Sequence, residues 1–95
     1  MKTYISGQIT GLAIFRAEEI FEEAETFLLL QGREVINPMK LSHEHNRTWE
    51  DYMLEDIKHL FECKSIFMLK NWIHSKGAKI EHSIAEQLQL EIIYQ

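Results

Sequence analysis

The chain has 95 residues, 45% of them hydrophobic, and a formal net charge of −5. That length allows one small domain with a modest core, and the acidic balance argues against a bulk nucleic-acid binder or a polybasic membrane surface. A single cysteine (Cys63), no signal-peptide pattern and no bilayer-length apolar run make a reducing cytoplasm the expected setting.

Thr3–Ser6 is a short β-prone run that ends at Gly7. An amphipathic helix is expected over Ala13–Gln31, with Ala17, Ile20, Phe21, Ala24, Phe27 and Leu28 turned inward. Glu18, Glu19, Glu22 and Glu23 point away from that stripe, and Glu25 lies at its margin. Gln31-Gly32 stops the helix. Glu34–Ile36 is a second strand, closed by the turn signal Asn37-Pro38. Met39–Arg47 is polar and reads as a loop.

Thr48 and Asp51 form a capping-box-like start for a helix over Thr48–Glu62, whose inner face is Trp49, Tyr52, Met53, Ile57 and Leu60. Cys63 reads as a small core residue. Ser65–Leu69 is a continuous apolar run, the mark of a strand buried on both faces. Lys70–Ser75 is a loop holding Trp72, and a helix over Lys76–Gln89 turns in Gly77, Ile80, Ile84, Ala85 and Leu88. Leu90–Tyr94 closes as a fourth strand. Alternating strands and helices imply a parallel sheet covered on both faces. Right-handed crossovers then give strand order 2-1-3-4 in a minimal flavodoxin-like (Rossmann-like) α/β sandwich of three layers. Such sheets bind ligands outside the carboxyl ends of their strands, where the order reverses. The segments at that point are Gly7–Gly11 and Lys70–Gly77.

Two acids break the pattern. Asp56 and Glu81 each fall inside the apolar arc of a helix. An ionised carboxylate facing a core costs several kcal/mol unless it is paired or hydrogen-bonded. The pair therefore points to a lined pocket, with solvent-exposed edge positions as the alternative. Paired carboxylates suit retaining glycoside chemistry, one attacking an anomeric carbon and the other handling the leaving group's proton. The turn Ser6-Gly7-Gln8-Ile9-Thr10-Gly11 lets the backbone approach a ligand and supplies neutral donors. It is neither a dinucleotide fingerprint nor a Walker A loop, and a plain strand-to-helix turn is its simpler reading. Ser75 caps the third helix, whose free N–H groups at Lys76, Gly77 and Ala78 can hold an anion. Trp72 sits where it can stack on a base, whereas Trp49 reads as core. His43 and His45 could touch a metal, but no third ligand is well spaced, so no metal and no cofactor are expected.

Taken together, Tyr4-Ile5-Ser6-Gly7, Ile9-Thr10-Gly11, Asn37-Pro38, Tyr52-Met53, Asp56-Ile57, Leu60, Cys63, Trp72, Ser75, Gly77-Ala78, Glu81 and Ala85 carry a resemblance. The pattern resembles the small bacterial and phage family of unknown function grouped with nucleoside 2-deoxyribosyltransferase-like proteins (domain of unknown function 4406), over nearly the whole chain. The resemblance implies a small-molecule nucleoside or nucleotide ligand, and cleavage or transfer at an N-glycosidic bond. On that reading Glu81 is the nucleophile, Asp56 protonates or orients the base, and Tyr4 lies beside the nucleophile. Ser75 matches a serine that meets a 5′-phosphate, and Ser6, Gly7, Gln8, Thr10, Gly11, Trp72 and Gly77 are the other expected substrate contacts. The chain departs from the family pattern at Gln8, Thr10, Lys64 and Lys70-Asn71. A homodimer is also implied. A non-catalytic nucleotide-binding or sequestering module with the same fold is the alternative.

Overall fold

A computed structural model describes residues 2–41 and 48–95. The candidate metal ligands His43 and His45 lie outside the described residues. Four strands, β1 (Lys2–Ser6), β2 (Glu34–Ile36), β3 (Ser65–Met68) and β4 (Glu91–Tyr94), form one sheet in the order β2-β1-β3-β4. All three pairings are parallel, with Thr3 opposite Val35 and Ser65, and Phe67 opposite Ile93. Three helices connect them: α1 (Ile14–Leu30), α2 (Trp49–Leu60) and α3 (Lys76–Gln87). Short 3₁₀ turns at Pro38–Lys40 and Trp72–His74 occupy stretches that read as loop in the sequence. The fold is the expected α/β sandwich, minimal and flavodoxin-like.

The period of two along β1 divides the core. Tyr4 faces a cluster with Leu60, Cys63, Ile66, Met68, Ala78 and Ala85, so α2 and α3 cover that side. Ile5 faces the other cluster, with Phe21, Ala24 and Leu28 of α1 and with Phe67 and Leu69. Burial pushes the Cys63 thiol up to about 11, which suits a packing residue rather than a reactive one.

Local chemistry sets the element ends. Thr48 Oγ accepts from Asp51 N–H, and Asp51 returns the bond from the Thr48 N–H, so the capping box forms. The third helix stops two residues short of the expected end. Gln89 adopts φ +59°, and Leu90 N–H bonds back to the Ala85 carbonyl, turning the chain into β4. Leu88, expected inside, is therefore a helix-end residue and 38% exposed. Phe27 is also more open than its stripe position suggests, at 52%. It covers the outer part of the sheet against Phe67, ring centroids 6.1 Å apart, on the face served by α1. No helix among the described residues is long and apolar enough to cross a membrane.

Candidate active site

A cavity of about 490 Å³ opens at the carboxyl end of β1 and reaches toward the turn after β2, whereas the expected mouth lay between β1 and β3. Its walls come from the turn after β1, the start of α1, the turn after β2, and the facing sides of α2 and α3. Apolar side chains (Ile9, Ile14, Phe21, Met39, Leu41 and Met53) make much of the wall. Asp56 and Glu81 are both on it, 9% and 5% exposed. The two acids that broke the helical pattern thus share one cavity.

Glu81 is held from the strand beneath it. Tyr4 and Ser6 are two residues apart on β1, so both side chains project from the same sheet face. Tyr4 OH donates to Glu81 Oε2 at 2.8 Å, and Ser6 OH donates to Oε1 at 2.7 Å. Each carboxylate oxygen has one fixed donor and keeps further lone-pair capacity for a ligand. Burial pushes the Glu81 carboxyl from 4.5 up to about 7. The Ser6 and Tyr4 hydroxyls pull it down, and the Asp56 charge adds to the rise. Burial also raises Tyr4 well above its usual value, reinforced by Glu81 and Asp56, so its phenol stays a donor.

The turn after β1 needs glycine at its first position. A Cβ on Gly7 would lie 2.5 Å from Leu69 Cδ1, so a side chain there collides with the end of β3. Leu69 N–H donates to the Ser6 carbonyl at 2.8 Å, and Gln8 N–H donates to Asn71 Oδ1 at 3.0 Å. Those bonds join the two turns at the point where strand order reverses. Gly11 has φ +95°, which a larger residue adopts only with strain, and it lets the chain swing into α1. The turn after β2 is pinned in turn by Asn37, which accepts from Met39 N–H and donates to Glu25. Lys40 pairs with the same glutamate at 2.7 Å. Burial raises the Glu25 carboxyl, but the Lys40 and Asn37 contacts outweigh it and leave the group below its usual range.

At the far wall, Ser75 accepts from Ala78 N–H at 3.1 Å and caps α3. Gly77 brings that helix start close to α2, since a Cβ there would meet Met53 Sδ at 2.9 Å. Trp49, which read as core, is instead 37% exposed on the cavity wall. The Lys76 ammonium lies 4.9 Å from its ring centroid. The reason is positional: Trp49 is the first residue of α2, and the stripe meets the cavity rim before it meets the core.

Of the expected site residues, Tyr4, Gly7, Thr10, Asp56, Ser75, Gly77 and Glu81 line this cavity. Ser6 is buried at 1% and commits its hydroxyl to Glu81, behind the wall. Gln8 sends its side-chain amide to the Thr10 carbonyl, and Gly11 shapes the turn; neither is on the wall. Trp72 is not on the wall either: its indole stacks on His82, centroids 4.4 Å apart. Asn71, Trp49, Tyr52 and Met39 are contributors that the sequence reading did not place in the site. Among the described residues, no cluster of three or more His, Cys, Asp or Glu could hold a metal ion.

The family model described as Domain of unknown function (DUF4406) matches residues 1–94. The chain belongs to the DUF4406 family. No curated protein matches it. In this DUF4406 protein, then, the chemistry has to be read from the cavity itself. It offers one buried carboxylate with both oxygens oriented, a second acid close enough to raise its proton affinity, and a largely apolar chamber in front of them.

Proposed function

We propose that the cavity binds a nucleoside or deoxynucleoside 5′-monophosphate and that Glu81 attacks its anomeric carbon. The observation that carries this reading is Glu81 itself, 5% exposed, bonded through both oxygens and facing a chamber of about 490 Å³. It is held by two neutral hydroxyls, which fix its direction without neutralising it. Its elevated proton affinity makes the ionised form a better nucleophile. In the proposed step a Glu81 oxygen bonds to C1′ as the N-glycosidic bond breaks, and the base leaves with its electron pair. Asp56 delivers or orients the proton the departing base needs, and water or a second base then resolves the glycosyl-enzyme. Ser75 and the start of α3 suit the sugar-phosphate end. The resemblance to nucleoside 2-deoxyribosyltransferase-like proteins agrees with these roles.

The same reading includes a second copy of the chain. Ile14 on the cavity wall and Phe15 beside it in sequence, 61% and 72% exposed at the start of α1, are apolar side chains that a partner would cover. Sedimentation of the purified protein tests this, and a strict monomer refutes it.

The test of the reaction is direct. The protein is incubated with nucleosides and deoxynucleoside 5′-monophosphates, and free base is followed by chromatography. Release that disappears in Glu81→Ala supports the proposal. Absence of release from every compound, with thermal stabilisation by a nucleotide retained in Glu81→Gln, replaces the enzyme with a binding module.

A further inference from the structure

A second polar constellation lies outside the cavity, where β4, α3 and the turn after β3 meet. Tyr94 ends β4, while His82 and Glu86 lie one turn apart on α3. The Tyr94 hydroxyl is 2.7 Å from His82 Nε2. Glu86 Oε1 is 3.6 Å from His82 Nδ1. A carboxylate on that side favours the tautomer protonated at Nδ1, which leaves Nε2 to accept the Tyr94 proton. Trp72 stacks on the imidazole with an interplanar angle of 18°. The stack holds the ring plane, and its π-face stabilises an imidazolium. The His82 side chain is only 13% exposed, whereas Tyr94 is 58% exposed. A shielded imidazole thus sits behind an accessible phenol with a carboxylate 3.6 Å beyond it, the order of groups found around an activated nucleophile.

We infer that Tyr94 is a second reactive site, a phenol nucleophile served by His82 that accepts an electrophilic phosphoryl group. Lys79 stands three residues before His82, the spacing of neighbours on a helix surface, and its charge suits an anionic donor. In the step, the Tyr94 oxygen bonds to phosphorus and the bond from phosphorus to the leaving oxygen breaks. The leaving group departs with its electron pair, and the phenolic proton passes to His82 Nε2. The charge formed on His82 is balanced by Glu86 from α3 and stacked on Trp72 from the preceding turn. Tyr94 from β4 is the other titratable group facing it. This site is independent of Glu81 and does not rest on the proposed glycosidic reaction.

The experiment uses the intact protein and two probes, an aryl sulfonyl fluoride and acetyl phosphate, with modified residues mapped by peptide mass spectrometry. With the first probe the tyrosine oxygen bonds to sulfur and fluoride leaves. Tyr52, half-buried on the cavity wall, serves as the internal reference. General-base assistance predicts that Tyr94 is sulfonylated about 100-fold faster than Tyr52 near neutral pH. The Tyr94 rate should level off with rising pH, where the rate of an unassisted phenol keeps climbing. In His82→Gln the neutral-pH advantage over Tyr52 should be lost. A hydrogen bond that merely fastens β4 to α3 would leave the wild-type profile following the phenol. That result, or equal rates at Tyr94 and Tyr52, overturns the proposal even if the variant fails to fold. Sulfonylation without any phosphoryl transfer from acetyl phosphate overturns the assigned electrophile.

Discussion

Glu81 should make this protein less stable as pH rises through neutrality, and replacing it should remove that loss. Its carboxyl titrates near 4.5 when unfolded and about 7 in the fold. Below the lower value both states carry the proton and no stability is lost to ionisation. Between the two values the unfolded chain releases a proton that the folded chain keeps, so unfolding becomes easier with each step in pH. Above the folded value both are ionised and the full loss has accumulated. The separation corresponds to about 3 kcal/mol, at about 1.4 kcal/mol for each tenfold change in proton affinity. In a domain of this size that is on the order of 10 °C in melting temperature.

Glu81→Gln keeps the shape and one acceptor oxygen, and its amide can donate to either the Tyr4 or the Ser6 hydroxyl. Denaturant unfolding of both proteins from pH 4.5 to 8.5 isolates the effect. The other ionisable groups are common to both chains and cancel in the difference. The expected difference curve favours the variant increasingly with pH and levels off above about 7. Parallel curves across the whole range would mean that Glu81 binds its proton no more tightly in the fold than in the unfolded chain, and would remove the raised proton affinity on which its role as nucleophile rests; a difference still growing at pH 8.5 would mean that it does not ionise inside the fold.

Four further outcomes follow from the same contacts. Tyr4→Phe removes the donor on Glu81 Oε2 and should move the alkaline rise of the proposed base release to higher pH, because the hydroxyl that stabilised the ionised form is gone; an unchanged pH–rate profile counts against the contact. Gly7→Ala should destabilise by about 1–3 kcal/mol through collision with Leu69, and Leu69→Ala in the same chain should recover part of that loss in denaturant unfolding, which independent sites would not do. Thr48→Ala should cost about 1 kcal/mol by opening the cap of α2, read as a lower denaturant midpoint at constant slope. Leu60→Ala, at a fully buried position under α2, should cost about 2–5 kcal/mol in the same measurement.

The architecture was legible because its signals are local or follow from chain order. The apolar run over Ser65–Leu69 marked a strand buried on both faces, and alternation of elements with right-handed crossovers settled the sheet order. Asp56 and Glu81 stood out because a helix stripe has no place for a charge. What stayed hidden depends on contacts between distant residues. Ser6 belongs to Glu81 across 75 positions of sequence, and nothing near Ser6 announces it. Trp72 sits at the end of β3 as expected, but His82 captures its ring, and a lone histidine on a helix gives no sign of that stacking. Trp49 misled because periodicity identifies a face of a helix without saying whether core or cavity lies opposite each turn of it.

The placement of Glu81 also bears on how the proposed reaction would use the fold. An ionised carboxylate at that depth is a ground state raised by about 3 kcal/mol relative to water. A bound neutral sugar does little to relieve it. Positive charge developing at the anomeric carbon does, because it appears next to a carboxylate whose direction is already fixed by Tyr4 and Ser6. The interaction therefore strengthens from bound substrate to transition state, which is the condition for accelerating the chemical step rather than only binding. A carboxylate paired with lysine would be more stable and would lose this leverage, since its partner charge would already be in place. On this view the neutral character of the two hydroxyl donors on β1 matters as much as the acidity of Glu81 on α3: the strand supplies orientation, burial supplies the energy gap, and neither alone would make the acid reactive.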